Sequence, residues 1–170
     1  MAALTGTYTL IASNTIVTAT NSITFSSVPS TYTDLLIAYS AKLTSGNVDM
    51  MMRLNSDTGS NYSSTFLWGN GTAAGSTRYT NVTSMETDYY GAIQSTSFNV
   101  GIVHLMDYAN TTTYKTGLTR SNAAEQGVDA TVGLWRSTAA INAITLFANG
   151  GSATFVANST FKLYGIEAAR

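Results

Sequence analysis

The chain has 170 residues, with 8 Lys and Arg against 9 Asp and Glu, and a formal net charge of −1. No basic stripe supports electrostatic binding to nucleic acid or to an anionic membrane surface. The absence of cysteine excludes disulfides, thiolate metal sites and cysteine nucleophiles.

Threonine (28) and serine (19) dominate the polar residues, whereas Lys and Glu, the usual surface residues of helices, are scarce. Threonine is β-branched and suits a half-solvated pleated surface, so the composition predicts an all-β protein. A chain of this length buries one continuous core. The start, MAALTGTYTLIAS, lacks the basic region of a secretory signal, and no apolar run reaches membrane-spanning length.

TYTLIAS (7–13) and SITFSS (22–27) read as the first two strands, and Pro29 then breaks the chain. TDLLIAYSAKL (33–43) alternates, with Leu35, Ile37, Tyr39, Ala41 and Leu43 forming the better core face. SGN (45–47) turns the chain into VDMMMRLN (48–55), whose core side is Val48, Met50, Met52 and Leu54. NSDTGSN (55–61) is a turn cluster before the strand YSSTFLW (62–68).

Residues 69 to 96 are the least regular and are expected as an irregular insertion or long loop; within them METDYYGAIQ (85–94) fits a short helix or a loop wall. Strand patterns return with FNVGIVHLMDY (98–108), TYKTGLTR (113–120), ATVGLWR (130–136) and AAINAITLFA (139–148). SNAAEQGVD (121–129) reads as a surface loop, and after the NGGS turn (149–152) a last strand runs from about Ala153 or Thr160 to Ala168. Nine to eleven short strands separated by Gly, Asn and Ser turns predict an antiparallel β-sandwich of jelly-roll type, as a single domain over 1–170.

Few residues offer chemistry. His104, the single histidine, shares a strand face with Val100, Ile102 and Met106 and reads as a structural residue at a core edge or subunit interface. Asp107, three residues on, points to the other face, so no local His–Asp pair is expected. Asp57, Asn61 and Asn55 could offer oxygen ligands to calcium, but their spacing is not that of an EF-hand loop and such residues serve turns. Glu86 and Asp88 could share a face as a glycosidase pair, although acidic residues in a surface loop are common. No catalytic residue, metal or cofactor is therefore assigned. Trp68, Tyr79, Tyr89 and Tyr90, in or beside the irregular stretch, make up the candidate recognition surface, because aromatic faces bury area at little entropic cost.

The stretches PSTYTDLLI (29–37), DTGSNYSST (57–65), TTTYKTGLTRS (111–121), GLWRSTAAINAITLF (133–147) and STFKLYGIEA (159–168) resemble small structural proteins of tailed bacteriophages, especially those of cyanobacteria. The resemblance implies a non-enzymatic virion component, foremost a capsid decoration or cement protein on the capsid surface. Its partners would be the major capsid protein or other virion proteins, with self-association as a homotrimer frequent among such proteins. The alternative it implies is a receptor-binding module of a tail fibre or spike that recognises host glycan. The regular strand at the chain's end is expected either in the middle of a sheet or at an edge that pairs with another subunit.

Overall fold

The structure is a computed structural model and describes residues 7–90, 92–150 and 152–167. Its strands, in chain order, are β1 (Tyr8–Thr15), β2 (Ser22–Phe25), β3 (Asp34–Ala41), β4 (Asn47–Val48), β5 (Met50–Leu54), β6 (Tyr62–Gly69) and β7 (Ala74–Val82). They continue with β8 (Met85–Glu86), β9 (Ile93–Gln94), β10 (Asn99–Met106), β11 (Lys115–Ala123), β12 (Gly127–Trp135), β13 (Ile144–Ala148) and β14 (Thr160–Ile166). No helix occurs among the described residues. The chain is all-β, and every strand pairing is antiparallel.

Eight strands form one sheet in the order β1-β14-β3-β10-β11-β12-β6-β7. A second sheet, β2-β13-β5-β8, packs on one of its faces, and β4 pairs with β9 as a separate ribbon. The core between the sheets takes Leu35 and Ile37 from β3, Leu43 just beyond it, and Met50, Met52 and Leu54 from β5, as the alternation predicts, whereas Val48 lies in β4 and is half-buried. Here β14 lies between β1 and β3, so the chain's last described strand is interior, and β1 is the edge. The expected extension to Ala168 lies outside the described residues, as does Gly151 of the NGGS turn.

Two expectations change. The stretch 69–96 is not one long loop: it contains β7, a nine-residue edge strand, and the short strands β8 and β9. Glycine and threonine hid β7 because it lies at a sheet edge and buries little, so no apolar face was required of it. The segment 121–129 is not a surface loop either, because β11 and β12 run through it and leave a three-residue turn.

Two hairpin turns use the same device. In the β6–β7 turn Asn70 Oδ1 accepts hydrogen bonds from the backbone of Thr72 and Ala73 and from Thr72 Oγ1. In the β10–β11 turn Asn110 Oδ1 accepts the equivalent bonds from Thr112 and Thr113. Both Asn-x-Thr triplets therefore serve as self-closing turns, with the Asn carbonyl replacing a backbone acceptor.

Close approach of the second sheet depends on missing side chains. Gly117 of β11 and Gly133 of β12 are paired across the large sheet, and the Met85 side chain of β8 lies on both. A Cβ at Gly133 would stand 2.2 Å from Met85 Sδ, inside any allowed contact.

Candidate functional site

Cross-strand register places Tyr39 of β3, Gly101 of β10, Ser121 of β11, Asp129 of β12, Trp68 of β6 and Gly75 of β7 in one row on the inner face of the large sheet. Over this row lie the residues that follow β8, the end strand of the second sheet: the Tyr89 backbone donates to Asp129 and Tyr90 stacks on Trp68, so this stretch acts as a wall laid over the large sheet. The tyrosine ring of Tyr39 lies flat over Gly101, where a Cβ would be 2.2 Å from its hydroxyl.

All four residues of the expected recognition surface meet here. Trp68 stacks on Tyr90 at 4.4 Å and 9°. On the sheet side the Trp68 ring lies on Gly75, whose added Cβ would meet it at 2.7 Å. Tyr89 stacks on Phe66 at 4.9 Å, and Tyr79 meets both rings edge-on at 5.7 and 6.1 Å. Asn70 Nδ2 donates to the Tyr90 hydroxyl at 2.8 Å, tying the wall to the β6–β7 turn. Tyr79 remains 37% exposed, and Trp68, Tyr89 and Tyr90 are half-buried.

Beneath this wall lies a cluster that sequence reasoning missed. Glu86 and Asp88 are not surface-loop acids: Glu86 is 9% exposed and Asp88 is wholly buried. They couple electrostatically with Asp49 and Asp129, so four of the nine carboxylates of the chain share one interior region. No Lys, Arg or His among the described residues forms an ion pair with Asp49, Glu86 or Asp88. Asp129 Oδ1 accepts from Ser121 Oγ at 2.7 Å and its Oδ2 from the Tyr89 backbone at 3.0 Å. Asp88 Oδ1 accepts from the Met50 backbone at 2.8 Å, whereas Asp88 Oδ2 and Glu86 Oε2 are buried without a hydrogen-bond partner.

Burial is the main cause of the resulting pKa shifts, with repulsion second. Glu86 is pushed up to about 7 by burial, then by Asp49 and Asp129. Asp49 is raised to about 6 by burial and then Asp129. Asp88 is raised well above the usual carboxylate range by burial, against the Met50 hydrogen bond, with Asp49, Asp129 and Glu86 adding to the rise. A carboxyl that keeps its proton acts as a donor to a neighbouring oxygen, which is the chemistry open to buried acids such as Glu86 and Asp88.

The remaining candidates are occupied locally. His104 lies on the outward face of β10, and its Nε2 is 3.0 Å from Oδ2 of Asp34 on β3. Asp34 Oδ1 in turn accepts the Asp107 backbone N–H, so the histidine anchors the β10 end. Asp57 accepts from the Trp135 indole at 2.7 Å, from Asn61 at 2.9 Å and from the Gly59 backbone at 2.8 Å. Those bonds, the indole first, hold its carboxyl below the usual range. Asn55 likewise bonds to the backbone of Ala140, Asn142 and Ala143. The Asp57 turn is thus closed by its own donors, and no group of three or more His, Cys, Asp or Glu among the described residues is arranged to hold a metal ion.

The outer face of the large sheet is the second site, and it too escaped the sequence. Large apolar side chains project from it to solvent: Tyr8, Leu10, Leu67, Val100, Leu118, Val128 and Val132, with Leu67 63% and Leu118 41% exposed. The face is concave. One cavity of about 550 Å³ touches Tyr8 of β1, Leu36 of β3, Leu118 of β11, Val132 of β12 and Leu67 of β6. Strands six places apart in a flat sheet would stand about 29 Å from each other at the usual spacing. Shared lining from β1 to β6 means that the sheet curls into a trough, which a second cavity of about 760 Å³ continues past Val100 and Val128. A signal was present in the sequence: β10 and β12 carry apolar residues on both faces, which a strand solvated on one side does not need. Comparison with protein-family models, with curated proteins and with solved structures finds no significant match to this chain.

Proposed function

We propose that the protein is a non-enzymatic structural module of a phage virion, a capsid decoration or cement protein built as a jelly-roll-like sandwich. The observation that carries this reading is the apolar outer face of the eight-stranded sheet. A patch that size on an otherwise polar domain marks a surface that a partner covers. The sequence resemblance supplies the virion setting. Glu86 and Asp88 are buried and the Asp57 turn is closed by its own donors, an arrangement that fits action by contact. By binding the assembled lattice and not free capsid subunits, the module stabilises the shell through linkage, each tenfold excess over Kd adding about 1.4 kcal/mol. Added to genome-free phage shells, the purified chain is expected to cosediment with them and raise their disruption temperature. Shells that neither bind it nor gain stability would end the decoration reading.

A second reading, a tail-borne module that recognises host glycan, is favoured by one observation: the aromatic wall keeps Tyr79 and the Trp68–Tyr90 stack half open to solvent. It predicts that Tyr79→Ala, whose ring lies at the edge and not under the wall, lowers adsorption to host cells at least tenfold in a protein with an unchanged unfolding midpoint. Unchanged adsorption would remove this surface from consideration.

A further inference from the structure

The trough on the outer face has a charge pattern as well as an apolar lining. Register places Lys162 of β14, Ala38 of β3, Ile102 of β10, Arg120 of β11 and Leu67 of β6 in a single outward row. Arg78 of β7 is paired with the outward Thr65. Asp34 is the sole acid at an outward position of the eight strands, and His104 holds it. Arg120 has neither an ion pair nor a hydrogen-bonded partner among the described residues. The concave face is thus apolar, and among the described residues Arg120 is the one Lys or Arg side chain that lines its two cavities, although the chain as a whole carries −1.

Three physical constraints narrow the occupant. The interior strands of the sheet have their backbone groups paired on both sides, so a chain lying on the face finds no main-chain partners there. An occupant must therefore satisfy its own N–H and C=O groups, which an α-helix does and an extended peptide does not. A second copy of this sheet would also satisfy its backbone. Packed face to face, however, two concave surfaces leave a void between them and bury an Arg120 from each copy with no acid of the trough lining free to pair with it. A small amphiphile would lie with one side wet, whereas buried ligands have most of their surface covered.

We infer that the trough is a docking groove for an amphipathic α-helix of a partner protein, whose apolar stripe lies on Leu67, Leu118 and Val132 and whose acidic residue pairs with Arg120. This deepens the reading of the protein as an assembly module, since it assigns the chemistry of the partner to the same face. It also explains why the apolar side chains are tolerated in the open: helix-in-groove recognition needs anchors at i, i+3, i+4 and i+7 spacing and little else. The acidic residue fixes register and direction, because any other placement leaves a charge desolvated against hydrocarbon.

The test uses a displayed library of helical peptides with apolar residues at i, i+3, i+4 and i+7 and with Asp, Ser or Lys at the flanking positions. It is panned on the full chain, with the Leu118→Asp variant as counter-target. Enriched peptides are expected to carry Asp, and in fluorescence anisotropy to bind Leu118→Asp and Arg120→Glu at least tenfold more weakly than the parent. Exchanging the peptide's Asp for Lys is expected to restore binding to Arg120→Glu. If Leu118→Asp does not fold, the exposed Arg120→Glu and its charge-swap peptide decide alone. A library that yields no trough-dependent peptide, or only neutral and basic ones, would overturn the inference. So would a dimer in sedimentation equilibrium that Leu118→Asp dissociates, which would give the face to a second copy. The virion reading fails separately: peptides that bind the trough in a protein inert toward shells keep the groove and discard the capsid.

Discussion

Raising the pH from 5 to 8 is expected to lower the urea midpoint of this protein, and Glu86→Gln to remove much of that loss. The cause is the interior carboxyl cluster. Asp49 and Glu86 have folded-state values of about 6 and 7 against 3.8 and 4.5 as free side chains, and burial raises Asp88 well above the usual carboxylate range. Below the free values both the folded and unfolded chains are protonated, and the cluster imposes no penalty. Between them and about 7 the folded protein holds protons that the unfolded chain has released, so stability falls as pH rises. By pH 8 the loss should amount to about 2–4 kcal/mol, shared among the coupled groups.

Asp57 acts in the opposite sense. Its depressed value contributes stability above the free aspartate value of 3.8, and that contribution is lost as pH falls through the folded value. The two effects place the stability maximum around the free carboxylate values, at about pH 4. Glu86→Gln keeps the size of the side chain but cannot ionise, so it should be the more stable protein at pH 8 and gain nothing at pH 4. A flat profile from pH 5 to 8 in the parent would show that the carboxylates are compensated in the folded state and would overturn the account.

The second large effect is expected at Gly133. Replacing it by Ala puts a Cβ 2.2 Å from Met85 Sδ and 2.4 Å from its Cγ. The methionine is unbranched, but it is wholly buried, so there is little room for it to give way. Overpacking of this kind costs about 1–3 kcal/mol. Met85→Ala alone removes a buried side chain and should cost about 2–5 kcal/mol through the cavity it leaves. In the double variant the new methyl at residue 133 partly fills that cavity, so the losses should fall short of additivity by about 1 kcal/mol or more. Urea denaturation of the four proteins measures this. Strict additivity would mean that Met85 and Gly133 do not meet.

These two regions differ in how far the sequence announced them. Period-2 alternation in residues 33–43 and 48–55 identified the inward faces of β3 and β5, because a side chain that changes face every residue must sort apolar from polar when one face is covered. The same rule failed in β10. Val100, Ile102 and Met106 alternate with Asn99, Gly101, Val103 and Leu105, and the covered face is the one with the asparagine and the glycine. Gly101 is there because Tyr39 lies across it, a requirement set by a strand sixty residues earlier. Glu86 and Asp88 looked like loop acids because burial of a carboxyl is decided by what folds over it, not by its neighbours in the chain.

By itself the sequence determined the class of structure. Its threonine-rich, cysteine-free, nearly uncharged composition and its alternating segments dictate paired strands, since β-branched residues and period-2 patterns satisfy a pleated, half-buried surface and no other regular element. It also placed Trp68, Tyr79, Tyr89 and Tyr90 near one another along the chain. Tertiary structure decided the rest: which of two apolar faces enters the core, that β14 lies inside the sheet, that four carboxyls come together, and that the large sheet curls into an apolar trough in which Arg120 stands. Each of these depends on pairings between residues far apart in the chain, whose free energy arises only when the sheets close on one another, and local pattern carries no record of it.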